Sequence, residues 1–169
     1  RPGPPGARRI QVSTAQEMAD AVSAEAPHAN VVVMAAAVAD FRPVAPAASK
    51  IKKDGGAVPT IALEPAPDIL ATLGSQRAGN GGAGPMLVGF AAETDDLVAH
   101  ASAKLARKGI DLIVANDVSA PGAGFEHDTN EVTILTASGR EVHLARRGKA
   151  AVADAILDEV LAERRATSS

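Results

Sequence analysis

Apolar residues along the chain fall into short dense blocks, separated by stretches rich in Gly, Pro and charge. NVVVMAAA (30–37), MLVGFA (86–91) and DLIVAN (111–116) are apolar without alternation, the pattern of strands covered on both faces in a parallel sheet. RRIQVS (8–13) and TIALE (60–64) read as shorter strands. Thr14 and Glu17 match a capping box, opening a helix that carries Met18, Ala21 and Val22 and ends before Pro27. PAPDILATLGSQR (65–77) predicts a second helix with Pro67 and Asp68 in its first turn. A third has Thr94 as its cap, Asp95 and Asp96 at its positive end, Lys104, Arg107 and Lys108 at its negative end, and Gly109 as its stop.

EVTILTASGREVHLA (131–145) alternates apolar and polar residues around Ser138-Gly139, which predicts a hairpin with one solvated face. The last helix spans about 149–165, with Val152, Ile156, Leu157, Val160 and Leu161 in its apolar stripe. Residues 40–59 show no period and hold Arg42, Lys50, Lys52 and Lys53 with three prolines and two glycines, which predicts a long flexible flap. Residues 1–7 read as a linker and 166–169 as a tail. Alternating strands and helices followed by a hairpin predict a single domain over 1–169. Its fold class is α/β, Rossmann-like and three-layered, with a mainly parallel sheet and a C-terminal β-hairpin. Such sheets bind ligands beyond the carboxyl ends of their parallel strands, where Asp40–Arg42, Phe90–Thr94 and Asn116–Ser119 fall.

Composition narrows this picture in a few places. A net charge of -3 gives no reason to expect nucleic acid as a partner. No apolar run is long enough to span a bilayer, and residues 1–9 lack a signal-peptide core, so no membrane partner is expected. The absence of cysteine removes thiolate nucleophiles, disulfides and Cys-ligated metals, and makes the cytoplasm the expected compartment. With no Trp or Tyr, the aromatic rings are Phe41, Phe90 and Phe125, each at a strand end or in a Gly-rich loop. That placement predicts a site on one rim of the sheet.

GNGGAG (79–84) has the glycine spacing of a dinucleotide loop, but a helix precedes it and a strand follows, the reverse of the required context; it reads as a linker. Glu126-His127-Asp128 reads as a solvated polar loop rather than a metal site. Lys104 and Lys108 lie four apart on one helix face, and complementing the helix dipole explains either one equally well. Lys50, Lys52 and Lys53 are open to a similar reading, as a solvated flap. Taken together, two lysine groups facing strand ends of small residues suit a polyphosphate, and Asp40 can bind a ribose hydroxyl or a magnesium ion. These features support nucleotide binding without naming a reaction.

AAAVADFRP, KIKK, PAPDIL, VGFAAET, KLARKGIDLIVANDVS and GFEHDTNEVTIL, in that order, resemble the phosphopantothenoylcysteine synthetase family over about Ile10 to Leu161. The family is the ligase half of a bacterial bifunctional coenzyme A biosynthesis protein. The resemblance implies that 4'-phosphopantothenate attacks CTP to give an acyl-cytidylate, which the amine of L-cysteine then attacks, with Mg2+ as cofactor and a homodimer as the assembly. It further implies CTP-binding residues at Asp40, Lys50, Pro67, Asp68, Ile69, Leu70, Phe90, Lys104 and Lys108, with Ala37 lining the site by its backbone. Lys50 opens the flap motif and is the implied catalytic residue, while Asn116 and Asp117 shape the rim. The family's Gly-rich N-terminal segment, with its SSG loop and asparagine, has no match here. The expectation is a ligase domain without its first βαβ segment, and without the upstream decarboxylase that would hold FMN. Two other readings stay open: a nicotinamide-dependent oxidoreductase, and a non-catalytic nucleotide-binding or acidic-partner-binding module.

Overall fold

The computed structural model describes residues 5–47, 49, 51, 60–93, 96–117 and 128–167. Helix α1 (Ala15–Glu25) starts as its sequence dictates: Thr14 accepts from the Glu17 amide at 3.1 Å, and the Glu17 carboxylate accepts from the backbone of Thr14. A short 3-10 turn (Ala26–His28) leads to β1 (Val31–Met34). Strands β2 (Phe41–Pro43) and β3 (Leu63–Pro65), helix α2 (Ile69–Gly79), β4 (Met86–Glu93) and α3 (Leu97–Lys108) follow. Strand β5 (Leu112–Asp117), the hairpin β6 (Thr129–Thr136) and β7 (Glu141–Gly148), and helix α4 (Lys149–Thr167) complete the order.

The main sheet runs β1-β4-β5-β6-β7, with β1, β4 and β5 parallel, β6 antiparallel to β5, and β7 antiparallel to β6. Alternation along the strands divides the core into two layers. Leu87, Ala91, Ile113, Ala115 and Leu135 face α2 and α3, with Met18 and Val22 of α1 packed at the margin. Met86, Val88, Leu112, Val114, Val132 and Ile134 face Val152, Ile156 and Val160 of α4. The result is the three-layer α/β architecture that the sequence predicts.

Several local expectations are corrected. Residues 8–13 form no strand, because no neighbouring strand offers them a ladder. Strand β1 lies at the edge of the sheet; Val32 and Met34 pack against one core layer and Val31 against the other, while Val33 remains 44% exposed. The aperiodic stretch 40–59 contains β2, which pairs antiparallel with β3 in a separate ribbon, Phe41 opposite Pro65. Pro67 and Asp68 precede α2 instead of lying in its first turn; Asp68 is the N-cap. The cap of α3 is Asp96, in the left-handed region at φ 43°, rather than Thr94, which lies outside the described residues. Leu157 and Leu161 point outward, and Glu163 takes a buried place on α4 instead.

Glu163 is 2% exposed and fastens the hairpin turn to α4. Its carboxylate accepts from the Ser138 amide at 3.2 Å, the Ser138 hydroxyl at 2.9 Å and the Arg140 guanidinium at 3.4 Å. Glu163→Ala strands those donors and is expected to cost about 1–3 kcal/mol of stability, measured as a lower urea midpoint at unchanged slope. Among the described residues, no helix is long and apolar enough to cross a membrane.

Candidate functional site

A cleft of about 690 Å³ opens at the carboxyl ends of β1, β4 and β5. Four parts of the chain bring the predicted site residues to its walls. The small-residue segment leaving β1 brings Ala37 and Asp40, and the turn before α2 brings Pro67, Asp68, Ile69 and Leu70. The end of β4 brings Phe90, and the last two turns of α3 bring Lys104 and Lys108. All of these are residues that the family resemblance implies for a nucleotide site. Lys50, Lys52 and Lys53 lie outside the described residues.

Short side chains at Ala35, Ala36 and Ala37 keep the first wall low, so that a ligand can approach the backbone there. Opposite, Asp68 joins two helices. Its Oδ1 caps α2 by accepting from the Ala71 amide at 3.1 Å and receives the Lys108 ammonium at 2.9 Å. Burial pushes the Asp68 pKa up, but the hydrogen bonds from Lys108 and the Ala71 amide, with the nearby Lys108 and Arg107 charges, outweigh it and hold the group below its ordinary value of 3.8. The pair therefore adds stability that is fully present above that ordinary value and is lost as pH falls through the lower folded one.

The cleft folds over the edge of the sheet. Lys104 and Lys108 sit on the side of α3, whereas alternation from Val88 and Val114 puts Phe90 and Asn116 on the side of α4. Asn130, at the start of β6, and Lys149, at the start of α4, complete that second side. Among the described residues, the Oδ1 atoms of Asn116 and Asn130 are buried without a hydrogen-bond partner, an arrangement that a bound donor would relieve. Sequence reasoning missed Asn130 and Lys149. A lysine in the first turn of a helix opposes the dipole, and that was the available signal for Lys149.

Phe41 and Phe90 do not share the cleft. Phe90 lines the cleft at 40% exposure, Phe41 projects from the ribbon at 61%, and Phe125 lies outside the described residues. Arg42 braces the ribbon, donating to Glu64 at 2.8 Å and Gln16 at 3.1 Å. GNGGAG forms the turn from α2 to β4, with Gly81, Gly82 and Gly84 at positive φ. Among the described residues no three His, Asp or Glu side chains cluster to hold a metal; Glu126 and His127 lie outside them, as does the side chain of Asp117. A second, apolar groove of about 370 Å³ runs along β1, between Ile10, Val12, Met18, Val22, Val31 and Val33.

The family described as DNA/pantothenate metabolism flavoprotein C-terminal domain matches residues 1–163. The coenzyme A biosynthesis bifunctional protein CoaBC of Mycobacterium bovis is 46% identical over 164 residues, covering 94% of this chain and 39% of the relative. The crystal structure of the C-terminal domain of a CoaBC protein superposes with a TM-score of 0.70 at 33% identity, over 95% of this chain and 66% of that one. A Cab2 H337A complex with phosphopantothenate-cysteine shares the fold with a TM-score of 0.57 at 22% identity, over 80% of this chain and 46% of that one.

Proposed function

The chain belongs to the DNA/pantothenate metabolism flavoprotein C-terminal domain family, and on that premise we propose that it carries the CTP-dependent phosphopantothenate–cysteine ligase step of coenzyme A biosynthesis. One observation carries the reading: apart from Lys50, every nucleotide residue implied by the sequence resemblance lines a single cleft at the carboxyl edge of the sheet. The chain spans 39% of the length of the CoaBC relative, so the ligation is proposed for this domain in the setting of a protein of that length.

A carboxylate is a poor acyl donor until its oxygen is part of a good leaving group. In the proposed first step the 4'-phosphopantothenate carboxylate attacks the α-phosphorus of CTP, forming the acyl-cytidylate and releasing pyrophosphate. The cysteine amine then attacks the acyl carbon, the C–O bond to CMP breaks, and the amine loses a proton. Lys104 and Lys108 supply fixed positive charge toward the nucleotide, where the departing pyrophosphate develops negative charge. Lys50 is assigned the same task.

A magnesium ion that travels with a triphosphate keeps several waters and needs only one or two protein carboxylates. Asp40, on the cleft wall, fits as one such ligand, and the ion would supply charge neutralisation on the phosphates. The same reading gives the groove beside the open edge of β1 to a βαβ segment of the longer protein, since a third of the solved CoaBC C-terminal domain has no counterpart in this chain. It also includes a homodimer.

Titration calorimetry with CTP, ATP and NAD in the presence of magnesium tests the nucleotide, and pyrophosphate and CMP release assays test the reaction in the longer protein. CTP is expected to bind best, with pyrophosphate release dependent on phosphopantothenate and CMP release dependent on cysteine. Lys50→Gln should lower turnover by about 10²–10³-fold, as for loss of one oriented charge in an active site. Equal binding of NAD and CTP, together with an unaffected Lys50→Gln, would remove the ligase reading.

A further inference from the structure

The C-terminal end of α3, which carries Lys108 into the cleft, is held by residues of α2 that do not touch the cleft. Gly74 lies in the middle of α2 and is buried. A Cβ built on Gly74 would overlap the Lys108 carbonyl oxygen and come within 3.2 Å of the Gly109 carbonyl oxygen. Glycine is therefore what allows the backbones of α2 and α3 to meet at this point. One turn further along α2, Arg77 donates to the Gly109 carbonyl at 2.7 Å and to the Pro85 carbonyl at 3.3 Å, and pairs with the Asp111 carboxylate.

Gly109 is the left-handed residue, φ 61°, that ends α3. Contact at Gly74 and the hydrogen bond from Arg77 thus fix the helix end at Lys108 and Gly109 from one side. Asp68 then receives the Lys108 ammonium from the same helix, α2, at its N-terminus. Lys104, one turn back on α3, is carried by the same rigid body.

We propose that Gly74 and Arg77 are positioning residues for nucleotide recognition, setting the place of the Lys108 ammonium without contacting the nucleotide. The inference rests on the nucleotide reading of the cleft given above. A backbone shift of about 1 Å far from a ligand can cost roughly 10²-fold, which makes a single methyl group at this helix crossing consequential. Arg77→Lys keeps a positive charge for Asp111 but loses the planar fork that reaches two further carbonyls.

The test is CTP affinity in the presence of magnesium, measured by calorimetry on the longer protein carrying this domain. Gly74→Ala should raise Kd at least about 10-fold, and Arg77→Lys by a smaller factor. Leu73→Ala, a core cavity in the same helix, should destabilise the protein and leave Kd unchanged. In a Lys108→Ala background, Gly74→Ala should cost much less affinity than it does alone, because most of its effect passes through that side chain. Additive losses, or equal losses from all three single changes, would overturn the proposal. If Gly74→Ala fails to fold, Arg77→Lys against Leu73→Ala decides it, with the same cycle through Lys108→Ala. Wild-type protein that binds no CTP defeats the nucleotide reading itself, before any variant is compared.

Discussion

Asp111→Ala is expected to lower the unfolding free energy by about 2–4 kcal/mol, the largest stability loss anticipated from a change to a charged side chain here. The carboxylate sits at the start of β5 and serves two donors at once. It accepts from the Leu87 amide at 2.7 Å, on a residue with no exposure at all, and it pairs with the Arg77 guanidinium. Removing it leaves a buried amide without its acceptor and a largely buried cation without its counter-charge, held only by the Gly109 and Pro85 carbonyls. A fully buried pair broken on one side costs roughly 3–5 kcal/mol. The lower range applies because the Arg77 and Asp111 side chains retain 17% and 21% exposure, so water screens part of the loss. For a domain of this size the shift in Tm is roughly 4–16 °C. Asp111→Asn keeps an acceptor for the Leu87 amide and should lose distinctly less. Equal losses for the two variants would show that the charge, and not the amide, carries the effect.

The network around Asp111 also marks the boundary of what the sequence discloses. Local signals were legible: the Thr14–Glu17 capping box, the apolar runs of β4 and β5, the Gly109 stop and the Ser138-Gly139 turn all depend on residues a few positions apart. Features that depend on a distant partner were not. RRIQVS has the composition of a strand but no neighbour to pair with, and β2 is a three-residue segment with no period of its own, although its partner β3 overlaps the strand read at TIALE. Leu157 and Leu161 fit a helical stripe, yet the sheet packs against the adjacent turn face of Val152, Ile156 and Val160.

The site follows the same division. Asp40, Phe90 and Lys108 were visible because motif resemblance and strand ends point to them. Asn130 enters the cleft only through the register that sets Asn116 opposite Val132, two residues further along β6. Gly74 reads in the sequence as one small residue in ILATLGSQR. Its significance is a contact between helices, which no local pattern encodes.

Replacing Lys104 and Lys108 together by alanine is expected to weaken CTP binding by about 10²–10⁴-fold, taking roughly 1.5–3 kcal/mol for each charged hydrogen bond lost. Two explanations of these lysines separate cleanly here. If they only complement the α3 dipole, the double change costs about 0.3–1 kcal/mol of stability per lysine and leaves Kd alone. If they serve the cleft, affinity falls as well, on top of that loss of stability. The two single changes should also differ. Lys108 neutralises Asp68 at 2.9 Å, so Lys108→Ala not only removes a cation but leaves a carboxylate facing the triphosphate. Lys108→Ala should therefore be the more damaging single change at low salt, and raising the ionic strength should narrow its lead over Lys104→Ala. Asp68→Asn preserves the cap of α2, since Asn caps as well as Asp, while removing the repulsive charge. Adding it to Lys108→Ala should recover part of the lost affinity. No recovery, with Kd unchanged in either single lysine variant, would return both lysines to the helix dipole and move the nucleotide elsewhere.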